Sequence, residues 1–143
     1  MLPFHIYPAQ PMPRLFELSD GRFQLLDATP VGAFLPGYQY LLVDSVLAEF
    51  LQALELGRVS YEPAIIFDRA TGKEYRDHIR IRVSQYFTHD QLCDLDVDGL
   101  RLLTMDDEFY FVSPALKTLL KQSGFDYLCF SAGLSDFAAG GAA

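Results

Sequence analysis

The sequence predicts a single α+β domain, a mostly antiparallel sheet packed by two principal helices and preceded by an extended Pro-rich arm. Three observations carry that reading. Apolar residues recur at helical spacing in two segments, near residues 45–56 and between Pro114 and Gly124. Between residues 59 and 87 the pattern switches to period two, as in strands. Pro3, Pro8, Pro11 and Pro13 crowd the first residues, which by this reading excludes helix and central strand there. A length of 143 residues suits one domain. Residues 1–131 are assigned to it, with 1–40 as arm and short hairpin and 41–131 as core; 132–143 reads as a flexible small-residue tail.

In chain order, the arm is anchored by Phe4, Ile6, Tyr7 and Leu15. A turn at Asp20-Gly21 separates Leu15–Leu18 from Phe23–Leu26 and predicts a hairpin. Pro30, Gly32, Pro36 and Gly37 then interrupt regular structure. The first helix runs from about Ser45 to Leu56. Asp44 or Ser45 caps it, Val46, Leu47, Phe50, Leu51 and Leu54 form its apolar stripe, and Gly57 ends it. Val59–Phe67 is β-branched and aromatic, and Pro63 assigns it to an edge or a bulge. After a turn at 68–73, Tyr75–Phe87 alternates: Ile79, Ile81 and Val83 on one face, Arg76, His78, Arg80 and Arg82 on a solvated one. Short strands follow at Leu100–Thr104 and Phe109–Val112. Ser113-Pro114 opens the second helix, since serine caps well and proline at the first helical position loses no hydrogen bond. Gly124 closes it, and Asp126–Phe130 is the last strand.

Composition narrows the function classes. With 19 acidic and 11 basic residues the net charge is −8, which disfavours nucleic acid and anionic membranes as partners. Such a surface suits a basic protein partner, or serves solubility. Twelve Phe and eight Tyr, without Trp, supply core and amphipathic contact residues. Cys93 and Cys129 are too few for a disulfide framework. Met1-Leu2-Pro3-Phe4-His5 has neither a basic nor an apolar leader region, so a cytoplasmic location with free thiols is expected.

No motif commits the chain to catalysis, a metal or a cofactor. Asp94-Leu95-Asp96-Val97-Asp98-Gly99 matches the first half of a calcium loop. The twelfth position is Met105, which offers no carboxylate, so a solvated acidic loop is the competing reading. His89 and Cys93 stand four apart, too few ligands for zinc and without an evident orienting group for nucleophilic chemistry. Charge clustering says more. Residues 69–82 hold five bases against two acids, and residues 90–108 hold seven acids against one base. The two stretches either face partners or neutralise each other across the fold.

Two stretches, Leu41–Leu54 and Phe111–Phe130, resemble one bacterial family, immunity protein family 11. In the second, Val112, Ser113, Leu116, Lys117, Leu120 and Gly124 fall on its closing pattern of capped helix, glycine and strand. The likeness spans about residues 40–131; the Pro-rich arm lies outside it. It implies a non-catalytic cytoplasmic protein that neutralises a cognate toxin by binding. Asp94, Asp96, Asp98, Asp106, Asp107 and Glu108 are then the expected partner-binding acids, with Tyr86 and Tyr110 as aromatic anchors. Two other classes compete: a small enzyme with a site at His78 or His89, and a calcium-responsive binder using Asp94–Asp98. An open edge at Val59–Phe67 would also permit homodimers.

Overall fold

The computed structural model describes residues 1–137 and has an α+β fold of two mostly antiparallel sheets. The four-stranded sheet has the order β10-β1-β9-β8, built from β1 (Phe4–Pro8), β8 (Leu102–Met105), β9 (Phe109–Val112) and β10 (Leu128–Ala132). The six-stranded sheet has the order β2-β3-β6-β7-β5-β4. Its strands are β2 (Leu15–Glu17), β3 (Phe23–Leu25), β4 (Phe34–Gly37), β5 (Tyr40–Asp44), β6 (Val59–Phe67) and β7 (Glu74–Val83). Among the described strands β3 and β6 alone run parallel, over Phe23–Ile66 and Gln24–Phe67, and Tyr86 makes an isolated parallel bridge to Thr104.

Alternation along the strands sorts side chains into three apolar layers. Leu41 and Val43 of β5, Ile81 of β7, Ile6 of β1 and Val112 of β9 meet in the central core. Helices α1 (Ser45–Ala53) and α2 (Pro114–Gln122) add Leu47, Leu51, Leu116 and Leu120. Beyond the six-stranded sheet, Leu15, Phe23, Leu35, Leu42 and Ile66 form a second cluster. Beyond the four-stranded sheet, Phe87, Leu103, Met105 and Phe111 form a third. None of the described helices is long and apolar enough to cross a membrane.

Both helices start where their caps allow. The Asp44 carboxylate accepts the Leu47 amide at 2.9 Å, and Ser113 Oγ faces the Leu116 amide with Pro114 at the first helical position. α1 ends earlier than Gly57: Leu54 caps it, and Glu55 takes the left-handed conformation at φ 54°. α2 ends at Ser123, with Gly124 left-handed at φ 83°.

Several expectations are corrected. Phe4–Pro8 is an interior strand rather than an arm, paired with β10 on one side and β9 on the other. Pro3 and Pro8 flank Phe4–Tyr7, where every residue can donate, so the ladder loses little. The tail reading fails for residues 132–137. Leu134 and Phe137 pack in the third cluster, and Asp136 Oδ2 lies 2.7 Å from His5 Nδ1. Residues 138–143 lie outside the described part. The Tyr75–Phe87 strand divides: β7 stops at Val83, and residues 85–87 cross to the other sheet, where Tyr86 bridges Thr104. Val59–Phe67 is an edge only over its first part, since β3 covers Ile66 and Phe67. The Ser84 amide bonds Arg58 O, which fixes the phase of the β6–β7 ladder and turns Pro63 outward. The exposed edge therefore lacks a donor at that position, which weakens it as a dimer surface.

Candidate functional site

The polar face expected on β7 is solvated only at its ends, where Arg76 and Arg82 are exposed. His78 and Arg80 are each 7% exposed, lying under the β2–β3 hairpin and the loop before β4. His78 donates its Nε2–H to Gly32 O at 2.9 Å. Arg80 donates to Glu17 Oε2 at 2.8 Å and to Gln39 O at 2.8 Å, and its guanidinium lies 5.4 Å from the centre of the Phe23 ring. One cation thus ties β7 to β2 and to the β4–β5 turn.

That turn abuts the β8–β9 turn. The Gln39 amide donates to Asp107 O at 2.6 Å. Gln39, Asp106 and Asp107 all have positive φ, at 65°, 61° and 52°. Left-handed backbone costs a non-glycine residue roughly 1–2 kcal/mol, less for Asp, whose short side chain bonds locally. Asp106 and Asp107 are the central pair of the β8–β9 hairpin turn, closed by the Glu108 amide on Met105 O at 3.3 Å, where positive φ at both positions matches the twist of the strands. Tyr38 and Tyr86 stand out from the same joint, 63% and 59% exposed. Tyr86, Asp107, Gln39 and Arg80 share a cavity of about 70 Å³.

Next to the joint lies an open groove of about 870 Å³. Both edge strands of the six-stranded sheet border it, β2 from one side and the end of β4 from the other, so the sheet rolls around the second cluster and stops short of closing. Met12, Phe16, Leu26 and Tyr38 line it, and all four are more than 40% exposed. Behind the Arg14 part of its lining, Asp27 accepts from the Arg14 amide at 3.2 Å and the Thr29 amide at 3.0 Å. These amides hold the Asp27 carboxyl down to about 2. The stabilisation is complete above the unfolded value near 3.8 and is lost as pH falls through about 2. A carboxyl-carbon NMR titration is expected to place the Asp27 midpoint near 2; a midpoint near 3.8 would show that this turn does not hold in solution.

The acids expected to bind a partner fall into two groups at opposite ends of β8, separated by its four residues, roughly 13 Å of strand. Asp106, Asp107 and Glu108 occupy the joint. Asp94, Asp96 and Asp98 lie at the far end, where Asp96 pairs with Arg101 at 2.9 Å. Val97 is buried there. Among the described residues no three His, Cys, Asp or Glu side chains gather as a metal group. The basic and acidic stretches do not neutralise each other: Arg76 pairs with Glu74, Arg82 with Glu62, and Arg80 with Glu17. Among the described residues Asp106, Asp107 and Glu108 have no basic partner.

Tyr110 is not a surface anchor. It is 5% exposed in the central core, and burial, with Asp107 nearby, pushes its hydroxyl well above the ordinary value. The joint's exposed aromatics are Tyr38 and Tyr86. Tyr38 was hidden in the sequence because Gly37-Tyr38-Gln39 reads only as chain-breaking.

Neither histidine proposed for an enzyme site meets an acid. His78 is sealed against Gly32, and His89 lies on an exposed 3-10 helix, His89–Asp94. Three residues per turn puts Cys93 about 120° around that helix from His89. His5 does meet Asp136, but it sits among Tyr7, Phe109, Phe111 and Phe137 rings. Ser131, its cross-strand neighbour, bonds Tyr7 Oη at 3.1 Å, so the serine–histidine bond of a nucleophilic pair is not formed. No family model matches the chain, and no curated protein and no solved structure matches it.

Proposed function

We propose that this chain is a non-catalytic protein-binding domain, a cytoplasmic immunity protein that neutralises a bacterial toxin by direct contact. The observation that carries the reading is the acidic joint. Asp106, Asp107 and Glu108, without basic partners among the described residues, form a tight hairpin turn beside the exposed tyrosines Tyr38 and Tyr86. Unpaired carboxylates attract a basic surface, and tyrosines provide large contact area at low entropic cost. The resemblance of Leu41–Leu54 and Phe111–Phe130 to immunity protein family 11 motivates the same function, while no family model matches the chain. Asp94, Asp96 and Asp98 become a secondary acidic surface, and Tyr86 is the anchor in place of Tyr110.

Co-expression with the product of the adjacent open reading frame tests the reading. A complex that co-elutes in size exclusion, and protection of cells from that product, are expected. Tyr86→Ala is expected to weaken the complex at least tenfold, about 1.4 kcal/mol. Asp107→Lys should slow association and flatten its salt dependence. Absence of both complex and protection defeats the proposal.

A further inference from the structure

We propose that the groove between β2 and β4 receives an extended, lysine- or arginine-bearing segment of the partner protein, added to β2 as a further strand. This rests on the protein-binding reading and specifies its mode.

The backbone phase of the sheet edges argues for β2. The Leu26 amide bonds Arg14 O and the Leu18 amide bonds Arg22 O. Residues 14, 16 and 18 are therefore the ones hydrogen-bonded to β3, and Leu15 and Glu17 turn their amides and carbonyls toward the groove. The Leu15 amide faces the Tyr40 hydroxyl across the groove floor. Glu17 keeps an outward donor and acceptor. The other edges facing solvent from this sheet are blunted. The Asp44 amide bonds Ala33 O, so Pro36 points outward on β4, as Pro63 does on β6. Pro13 takes the next outward position before Leu15, so the open backbone of β2 is confined to Leu15–Glu17, beside exposed Phe16, Met12 and Leu26.

Charge selects the occupant. Arg14 is the only base lining the groove among the described residues, and Asp27 takes it at 3.3 Å. The Glu17 carboxylate is taken by Arg80 at 2.8 Å, and the carboxylates of the Asp106–Glu108 turn, without basic partners among the described residues, adjoin the Gln39 end of the groove. An added strand would place alternate residues over the apolar lining and the others toward these carboxylates.

Hydrogen exchange of the whole chain with a synthetic peptide of alternating valine and lysine tests the inference, with a valine–glutamate peptide as control. The Val-Lys peptide at saturation is expected to slow exchange of the Glu17 amide about tenfold, and the control to leave it unchanged. Glu17→Pro removes the outward donor and should lose that binding, while Glu17→Ala, which shares the loss of the Arg80 contact, should retain it. Equal binding by the two variants, or equal protection by both peptides, overturns strand addition. Protection of the Glu17 amide by self-association of the free chain assigns the groove to a second copy and also overturns it. A toxin complex that forms yet leaves this amide unprotected sinks the strand inference alone; absence of any complex sinks the protein-binding reading.

Discussion

Replacing Arg80 by alanine is expected to destabilise the fold by about 3 kcal/mol, seen as a lower denaturant midpoint with an unchanged slope. Arg80 is 9% exposed at its side chain and makes two 2.8 Å hydrogen bonds, to Glu17 and to Gln39 O. Removing one partner of a buried ion pair typically costs about 3–5 kcal/mol, because the other charge stays behind. Here Glu17 is 39% exposed and can recover water, which places the loss near the lower limit. The cavity left beside Phe23 adds to it. Arg80→Met should recover part of the loss by filling that space. In the Glu17→Gln background Arg80→Ala should cost measurably less, since the stranded charge is already gone. The variant also frees Gln39, so Tyr86-side partner binding should weaken even where the protein remains folded. Equal costs in both backgrounds would mean that the ion pair does not organise the hairpin.

Arg80 also shows where sequence reading reached its limit. The period-two pattern of Tyr75–Phe87 correctly assigned a strand and its apolar face, Ile79, Ile81 and Val83. It assigned Arg76, His78, Arg80 and Arg82 to solvent, because polarity usually marks the wet face, which holds for Arg76 and Arg82 and fails for His78 and Arg80. The middle of that face became buried through a three-residue strand, Leu15–Glu17, whose position depends on a two-residue parallel pairing of β3 with β6. Contacts so distant in sequence leave no local period. Caps were legible because they are local chemistry: Asp44 and Ser113 do what their side chains allow anywhere. The interior placement of Phe4–Pro8 was not, since it requires β10, more than a hundred residues away, and its prolines read as breakers. Within the candidate site the acids Asp106, Asp107 and Glu108 were visible as charge density. Tyr110 was misplaced because Phe109–Val112 is apolar on both faces and alternation cannot say which side is covered.

Gly37→Ala is expected to cost about 1–3 kcal/mol, although alanine is among the smallest substitutions available. Gly37 is the cross-strand neighbour of Tyr40, and the Tyr40 ring lies directly over it. A Cβ at position 37 would overlap the ring at Cζ, Cε2 and Oη. The strand backbone is held by the β4–β5 ladder, so the ring must move. It then leaves Phe23, whose ring centre is 5.3 Å away, and the Leu15 amide, and uncovers the groove floor. Burial raises the Tyr40 hydroxyl pKa in the native fold, so displacement should return it toward the ordinary tyrosine range near 10. Ultraviolet titration reads that change independently of stability. A double-mutant cycle decides the cause: in a Tyr40→Ala background the overlap is gone, and Gly37→Ala should cost only a few tenths of a kcal/mol. An undiminished cost in that background would locate the strain in the backbone and remove Tyr40 as the bridge between the two walls of the groove.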